Sequence, residues 1–189
     1  MHPRTARWLS AARTLHHIKV TSCEGCACRT TVDTIAVAKR VAAIEKCYGI
    51  ALPPSYREFM LRYDGWSRVF GRASLLSTEQ LLSPSWHHRA EIVMDRVAGG
   101  HLPPAGKHHP NSASSWRNDN LIPFGLDDTG SVVFVFDADK VDESGEFEVL
   151  AWFSGLGVRV PSFPWLLDML CDLSSSRTST TPEAAIRAA

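Results

Sequence analysis

The stretch "ALPPSYREFMLRYDGW", residues 51–66, carries the fold prediction because its beginning and its end are both marked. Pro53 and Pro54 suit the first turn of a helix, where a missing N–H costs nothing and φ is already helical. One apolar stripe then follows at i, i+3, i+4 and i+7, formed by Tyr56, Phe59, Met60 and Tyr63. Gly65 ends the helix and Trp66 begins the return of the chain. The stretch predicts a short amphipathic helix that needs a partner surface.

A second helix is predicted immediately before this stretch. Asp33 or Thr34 can cap its beginning. Its apolar positions recur at steps of four, three and four residues, and they are Val37, Val41, Ile44 and Tyr48. Gly49 supplies the left-handed backbone of a helix end. Together the two segments predict an N-terminal helix pair.

After Trp66 the sequence predicts short, extended elements. The segment "SRVFGRASLL" predicts one or two strands with a bend at Gly71. Ser77 and Gln80 have the spacing of a capping box, which begins a helical turn. Helical periodicity returns over residues 84–98, and residues 99–120 are rich in Gly, Pro, Ser, Asn and His, which predicts a long exposed loop.

Three apolar runs, "LIPFG", "SVVFVFD" and "FEVLAWF", predict the clearest strands. Turn-forming segments separate them, so the strands are expected to form an antiparallel meander. "SFPWLLDMLCDL" then predicts a closing helix that Ser162 caps. The fold class is therefore α+β, a mainly antiparallel sheet with an N-terminal helix pair and a C-terminal helix packed on it. Residues 1–32 are expected to be a loosely ordered extension, residues 33–173 the domain and residues 174–189 a frayed tail.

The composition is that of a globular protein. The chain has 189 residues, 44% of them hydrophobic and 21% charged, with a formal net charge of +0. A neutral chain gives no global indication of nucleic-acid binding. We find no apolar run of about 18 residues and no signal-peptide block at the start, and the five cysteines are odd in number. These features lead us to expect a cytoplasmic protein.

The order of these segments resembles the SUKH superfamily, which includes bacterial toxin-immunity proteins and a fungal cell-wall-assembly regulator. The resemblance rests on "VAAIEKCYGIALPPSYREFMLRYDGW", "LIPFGLDDTGSVVFVFD" and "FPWLLDML", and it spans roughly residues 33–173. It implies a binding module without catalytic residues or a cofactor. It further implies an intracellular immunity protein that neutralises a cognate polymorphic toxin by contact. The alternative is a regulatory or scaffold protein of the same fold that binds endogenous partners.

Charge is unevenly distributed, and this suggests where a partner binds. Residues 1–30 hold five basic residues and one acidic residue, whereas residues 121–153 hold eight acidic residues and one basic residue. Acidic surface suits a basic nuclease toxin. The candidate partner-binding residues are Asp127, Asp128, Asp139, Asp142 and Glu143. The alternative is that these aspartates bond the backbone of their own turns, and the meander would hold the two turns at opposite ends of its middle strand.

Tryptophan adds one more candidate. Trp66 follows the helix pair and is expected either to contact the partner or to close the corner of the pair. Trp116, in the loop, is a weaker candidate for contact. Trp152, in a strand, and Trp165, in the last helix, are expected in the core.

A metal-dependent enzyme is the third hypothesis, raised by "CEGCAC". Cys23 and Cys26 have the C-x-x-C spacing of zinc ligands, with Cys28 and the pair His16 and His17 nearby. A second such knuckle is missing from the sequence, and neither His87-His88 nor His108-His109 has the H-E-x-x-H spacing. An incidental cysteine-rich extension is therefore the preferred interpretation, and no metal ligand is assigned.

Overall fold

The computed structural model describes residues 9–14, 32–98, 121–153 and 156–178. The helices are α1 (residues 9–14), α2 (Thr34–Tyr48), α3 (Pro54–Tyr63), α4 (Thr78–Leu81), α5 (Pro84–Ala98) and α6 (Phe163–Thr178). The strands are β1 (Trp66–Phe70), β2 (Ala73–Leu75), β3 (Leu121–Leu126), β4 (Val132–Val141), β5 (Phe147–Phe153) and β6 (Leu156–Val160).

The helix boundaries follow the local signals in the sequence. Asp33 caps α2 by accepting hydrogen bonds from the N–H groups of Ile35 and Ala36, and Gly49 ends α2 with φ of 69°. Ser77 and Gln80 form the capping box of α4. The predicted end of α3 differs by one residue, because Asp64 already adopts the left-handed conformation with φ of 46°. A short polar side chain tolerates this conformation better than most.

The six strands form one antiparallel sheet in the order β1-β2-β3-β4-β5-β6. This confirms the α+β class and the meander, but β6 was not predicted. Its sequence, "LGVRV", alternates apolar and other residues, but the run is only five residues long and follows closely on β5. Strand β4 is also longer than expected and ends at Val141, beyond Asp137.

Two apolar clusters lie on opposite faces of the sheet, since neighbouring residues of a strand point to opposite sides. Helices α2, α3 and α6 pack on the first face against Phe134 and Phe136, which confirms the predicted helix pair and closing helix. The second face buries Val133, Val135, Leu150 and Trp152, and Val93 of α5 packs on it. The domain therefore has three layers, with the sheet in the middle.

The two terminal segments contain more structure than expected. Residues 9–14 lie within the predicted loose extension, yet they form a helix with Ala11 and Ala12 buried. The thiol of Cys171 donates to the carbonyl of Ala11 over 3.3 Å. Helix α6 continues to Thr178, past the predicted start of a frayed tail at residue 174. The predicted loop 99–120 lies outside the described residues.

Tyr56 is the centre of the aromatic core. Its ring makes edge contacts with the rings of Phe124, Phe136 and Phe163 at centroid distances of 5.2, 5.0 and 5.1 Å. Its hydroxyl is buried and has no hydrogen-bond partner within the described ranges. Burial, with smaller contributions from Tyr48 and Asp64, raises the pKa of Tyr56 above its usual value.

Tyr56→Phe is expected to protect the protein from alkaline unfolding. Above about pH 10 the unfolded tyrosine loses its proton while the buried one keeps it, so each pH unit lowers the free energy of unfolding by about 1.4 kcal/mol. Tyr56→Phe removes this contribution to the pH dependence of the free energy of unfolding. Tyr48, whose pKa is also raised by burial, leaves a smaller dependence. Urea unfolding at several pH values measures the difference. Equal slopes for the wild-type protein and Tyr56→Phe would contradict the prediction.

Candidate partner-binding site

A group of exposed acidic residues lies at the end of the β4–β5 hairpin, residues 139–143, which we call the acidic hairpin. Asp139, Asp142 and Glu143 are all exposed there. Asp139 is the last but two residue of β4 and not a turn residue, which corrects its predicted position. Val141 lies between these acids with 51% of its surface exposed. An apolar side chain surrounded by charge is a common composition for a protein interface.

Asp142 has a structural role within the acidic hairpin. Its Oδ1 accepts hydrogen bonds from the N–H and hydroxyl groups of Ser144 and from the N–H of Glu146. These are the bonds that a turn aspartate makes to its own backbone. Asp142 therefore shapes the turn, and Asp139 and Glu143 are the better candidates for contact.

Glu146 anchors the acidic hairpin to the helix pair. It is buried, and its carboxylate accepts from the N–H and the hydroxyl of Ser55 at 2.8 and 2.6 Å. Pro53, the N-cap residue of α3, makes no side-chain cap, so Glu146 replaces the missing cap from 91 residues away. Gly145 lies beside Pro54. The position of the acidic hairpin is thus fixed against the start of α3.

Asp127 and Asp128 differ from each other in exposure. Asp127 is buried, and its carboxylate accepts from the N–H groups of Ser131 and Val132 and from the hydroxyl of Thr129. It therefore closes the β3–β4 turn and presents little surface to a partner. The Asp128 side chain is 72% exposed and pairs with Arg72 at 3.1 Å. Such an exposed pair contributes little stability and is easily exchanged.

The acidic residues do not form one surface. The β3–β4 turn and the acidic hairpin are separated by residues 132–138 of β4, which span about 23 Å at roughly 3.3 Å per residue. Between them, Asp137 and Glu148 both bind Arg159, each at 3.1 Å, so the arginine balances one of their two negative charges. The acidic hairpin and Asp128 are therefore two separate candidate contacts.

The exposure of the tryptophans differs in part from what the sequence predicted. Trp66 is 2% exposed and its ring stacks on those of Phe59 and Tyr63, at 6.5 and 5.8 Å, so it closes the corner of the helix pair and has no surface for a partner. Trp152 is buried, as expected. The prediction for Trp165 is wrong, since 46% of its surface is exposed. Trp116 lies outside the described residues.

A cavity of about 310 Å³ was not predicted from the sequence. It lies between the β3–β4 turn, α4 and the first turn of α5. Its lining includes Ser74, Gln80, Ser83, Trp86, Arg89 and Asp128. These residues come from three separate segments with no shared motif, so only the tertiary structure brings them together.

No group of three or more His, Cys, Asp or Glu residues suited to a metal ion occurs in the ranges that the structure describes. The cysteine-rich segment with Cys23, Cys26 and Cys28 lies outside those ranges, as do His16, His17, His108 and His109. Among the described helices, none combines the length and the apolar character needed to cross a bilayer.

A comparison with protein families finds a match that covers most of the domain. The model of the SMI1 / KNR4 family (SUKH-1) matches residues 36–169. A search of curated proteins found no match. The matched span begins in α2 and ends in α6, so it includes the whole sheet, the acidic hairpin and the cavity.

Proposed function

The chain belongs to the SMI1 / KNR4 family (SUKH-1), and on this basis we propose that it is an intracellular immunity protein. The family includes immunity proteins and regulators, and its members bind protein partners. In the proposed function the protein binds a cognate polymorphic toxin and neutralises it by direct contact, without catalysis. The observation that carries the proposal is the family match over most of the domain.

The acidic hairpin is proposed as the main contact with the toxin. It carries the exposed carboxylates of Asp139 and Glu143 together with the exposed Lys140 and Val141. A nuclease toxin has a basic surface for its phosphate substrate, and opposite charges speed association and select the partner. The exposed apolar side chain would supply the desolvated centre of the contact. Asp128, at the other end of β4, is proposed as a second, weaker contact.

Asp139→Lys combined with Glu143→Lys is expected to slow association with the toxin by about tenfold or more and to weaken its salt dependence. The measurement is the association rate of the purified protein with the toxin domain encoded beside its gene, at several salt concentrations. Survival of cells that express both proteins reports neutralisation. Glu58→Lys combined with Asp172→Lys is the matched control, because both acids are exposed on helices and lie outside the acidic hairpin.

Three results would argue against parts of this proposal. If neither cell survival nor binding depends on the protein with any neighbouring toxin, the immunity function is wrong and the regulatory alternative is favoured. If the toxin binds but both double variants associate equally slowly, the acidic hairpin is not the contact. If Val141→Ser leaves affinity unchanged while the lysine variants do not, the contact is electrostatic only.

A further inference from the structure

The cavity between the β3–β4 turn, α4 and α5 has the size of a binding site for one side chain. Its volume of about 310 Å³ lies at the lower end of the range of ligand pockets, roughly 300–1,000 Å³. The turn that forms one wall is held by internal bonds of Asp127, and Arg89 ties this turn to α5. The wall is therefore formed before any ligand arrives, and pre-formed sites lose less entropy on binding.

Arg89 supplies the main unused donors. Its Nη2 donates to the carbonyl oxygens of Asp127 and Asp128, at 3.3 and 2.8 Å. Within the described ranges its Nε and Nη1 have no acceptor. A guanidinium is a planar fork of donors that matches the two oxygens of a carboxylate.

The carboxylates near the cavity are already occupied. That of Asp127 accepts three hydrogen bonds inside its own turn, from residues 129, 131 and 132. That of Asp128 pairs with Arg72 outside the lining of the cavity. Neither carboxylate hydrogen-bonds to Arg89, which binds only the backbone carbonyls of these two residues.

Two further donors lack acceptors in the described part of the protein. Gln80 uses its Oε1 to accept from the N–H of Ser77, which leaves both hydrogens of its Nε2. The indole N–H of Trp86 is buried without a partner, although its ring lines the cavity. The first turn of α5 adds the positive end of a helix dipole. Arg89, Gln80 and Trp86 thus hold donors available at the cavity, and an acceptor with negative charge suits them.

We propose that this cavity binds a carboxylate carried by the protein partner, with the Arg89 guanidinium as its principal donor. The inference rests on the proposed function, since the partner is taken to be the toxin. The carboxylate is either that of an acidic side group or that of a polypeptide C-terminus, and both present the same two oxygens. This site lies at the opposite end of β4 from the acidic hairpin, so a partner that contacts both must have charges of both signs.

The test uses the purified protein alone and small probes for the two sources. N-acetylglutamate N-methylamide represents an acidic side group, N-acetylalanine represents a C-terminus, and N-acetylglutamine N-methylamide is the neutral control. The indole N–H resonance of Trp86, assigned by its loss in Trp86→Phe, reports occupancy by NMR. We expect a saturable shift in the millimolar range for a carboxylate and none for the amide. The probe that saturates first identifies the source, and a shift of equal size with the amide, or no saturation at all, would overturn the proposal.

Arg89→Gln is expected to weaken binding of the better carboxylate probe by roughly 10- to 100-fold, because it removes charge-assisted hydrogen bonds. Arg62→Gln, which changes an exposed arginine of α3 outside the lining, is expected to alter binding by less than about threefold. Arg89→Lys keeps a positively charged donor for the carbonyls of the β3–β4 turn. It therefore distinguishes the effect of losing the paired guanidinium donors from the effect of releasing the turn. Unchanged binding in a folded Arg89→Gln protein would refute the assignment.

These outcomes are independent of the immunity function. If the toxin binds the wild-type protein and binds Arg89→Gln as tightly, only the carboxylate site is wrong. If no toxin binds but the carboxylate probe saturates with the expected dependence on Arg89, the site stands and the identity of the partner is wrong.

Discussion

Gly65→Ala is expected to lower the free energy of unfolding by about 3 kcal/mol, the sum of left-handed backbone strain and steric overlap. Gly65 has φ of +90°, a conformation in which an L residue is strained. A Cβ there would lie 2.6 Å from the backbone nitrogen of Ser77, and a backbone atom cannot move aside as the end of a flexible side group does. Urea unfolding followed by circular dichroism measures the loss.

Gly49→Ala and Gly71→Ala are the matched controls for this prediction. Both glycines have positive φ, of +69° and +57°, and neither would bring a Cβ within 4 Å of another atom. Each is expected to cost about 1–2 kcal/mol, the strain of the left-handed conformation alone. A loss for Gly65→Ala no greater than for these two would show that the close approach of residues 65 and 77 is not maintained in solution.

Asp64→Ala is expected to lower the free energy of unfolding by about 2–4 kcal/mol, because it leaves buried donors of Thr78 without an acceptor. Asp64 is 5% exposed, and its Oδ1 accepts from the N–H and the hydroxyl of Thr78 at 2.8 and 2.7 Å. Its Oδ2 pairs with Arg40 at 3.3 Å. Because a third of the Arg40 side chain is exposed, the ion pair adds little and the hydrogen bonds dominate.

Two variants separate the contributions of Asp64. Asp64→Asn keeps an oxygen for Thr78 and tolerates the left-handed conformation, so it should retain more than half of the lost stability. Asp33→Ala removes an exposed cap of the same chemistry from α2, and its expected cost is about 1 kcal/mol. Equal losses for Asp64→Ala and Asp33→Ala would show that burial of the Asp64 cap adds nothing.

Parts of the candidate site were predictable and parts were not. The acidity of residues 127–143 and the separation of their two turns follow from the sequence, because a meander places successive turns at opposite ends of a strand. The roles of the individual acids do not follow. Asp127 and Asp142 bond their own turns, and of these acids Asp127 is buried whereas Asp139, Asp142 and Glu143 are exposed. The sequence shows an acidic residue in each case, and only the direction of each carboxylate separates them.

Local sequence is sufficient for the elements that depend on neighbours a few residues apart. Helix α2 has its apolar stripe, its Asp33 cap and its Gly49 end within 17 residues, so local chemistry specifies it. The same holds for the capping box at Ser77 and for the three long strands, whose hydrophobic content alone indicates burial. The order of these elements also carries the family resemblance that the comparison confirmed.

Folding in three dimensions is what selects the residues that meet across long stretches of sequence. Asp64 caps a helix that begins 14 residues later, and Glu146 caps one that lies 91 residues earlier. The same long-range packing buries Trp66 against the rings of α3 and assembles the cavity from three segments. These contacts depend on the global arrangement of the sheet and helices, and the local sequence contains no periodic signal for them because their partners are fixed only when the protein folds.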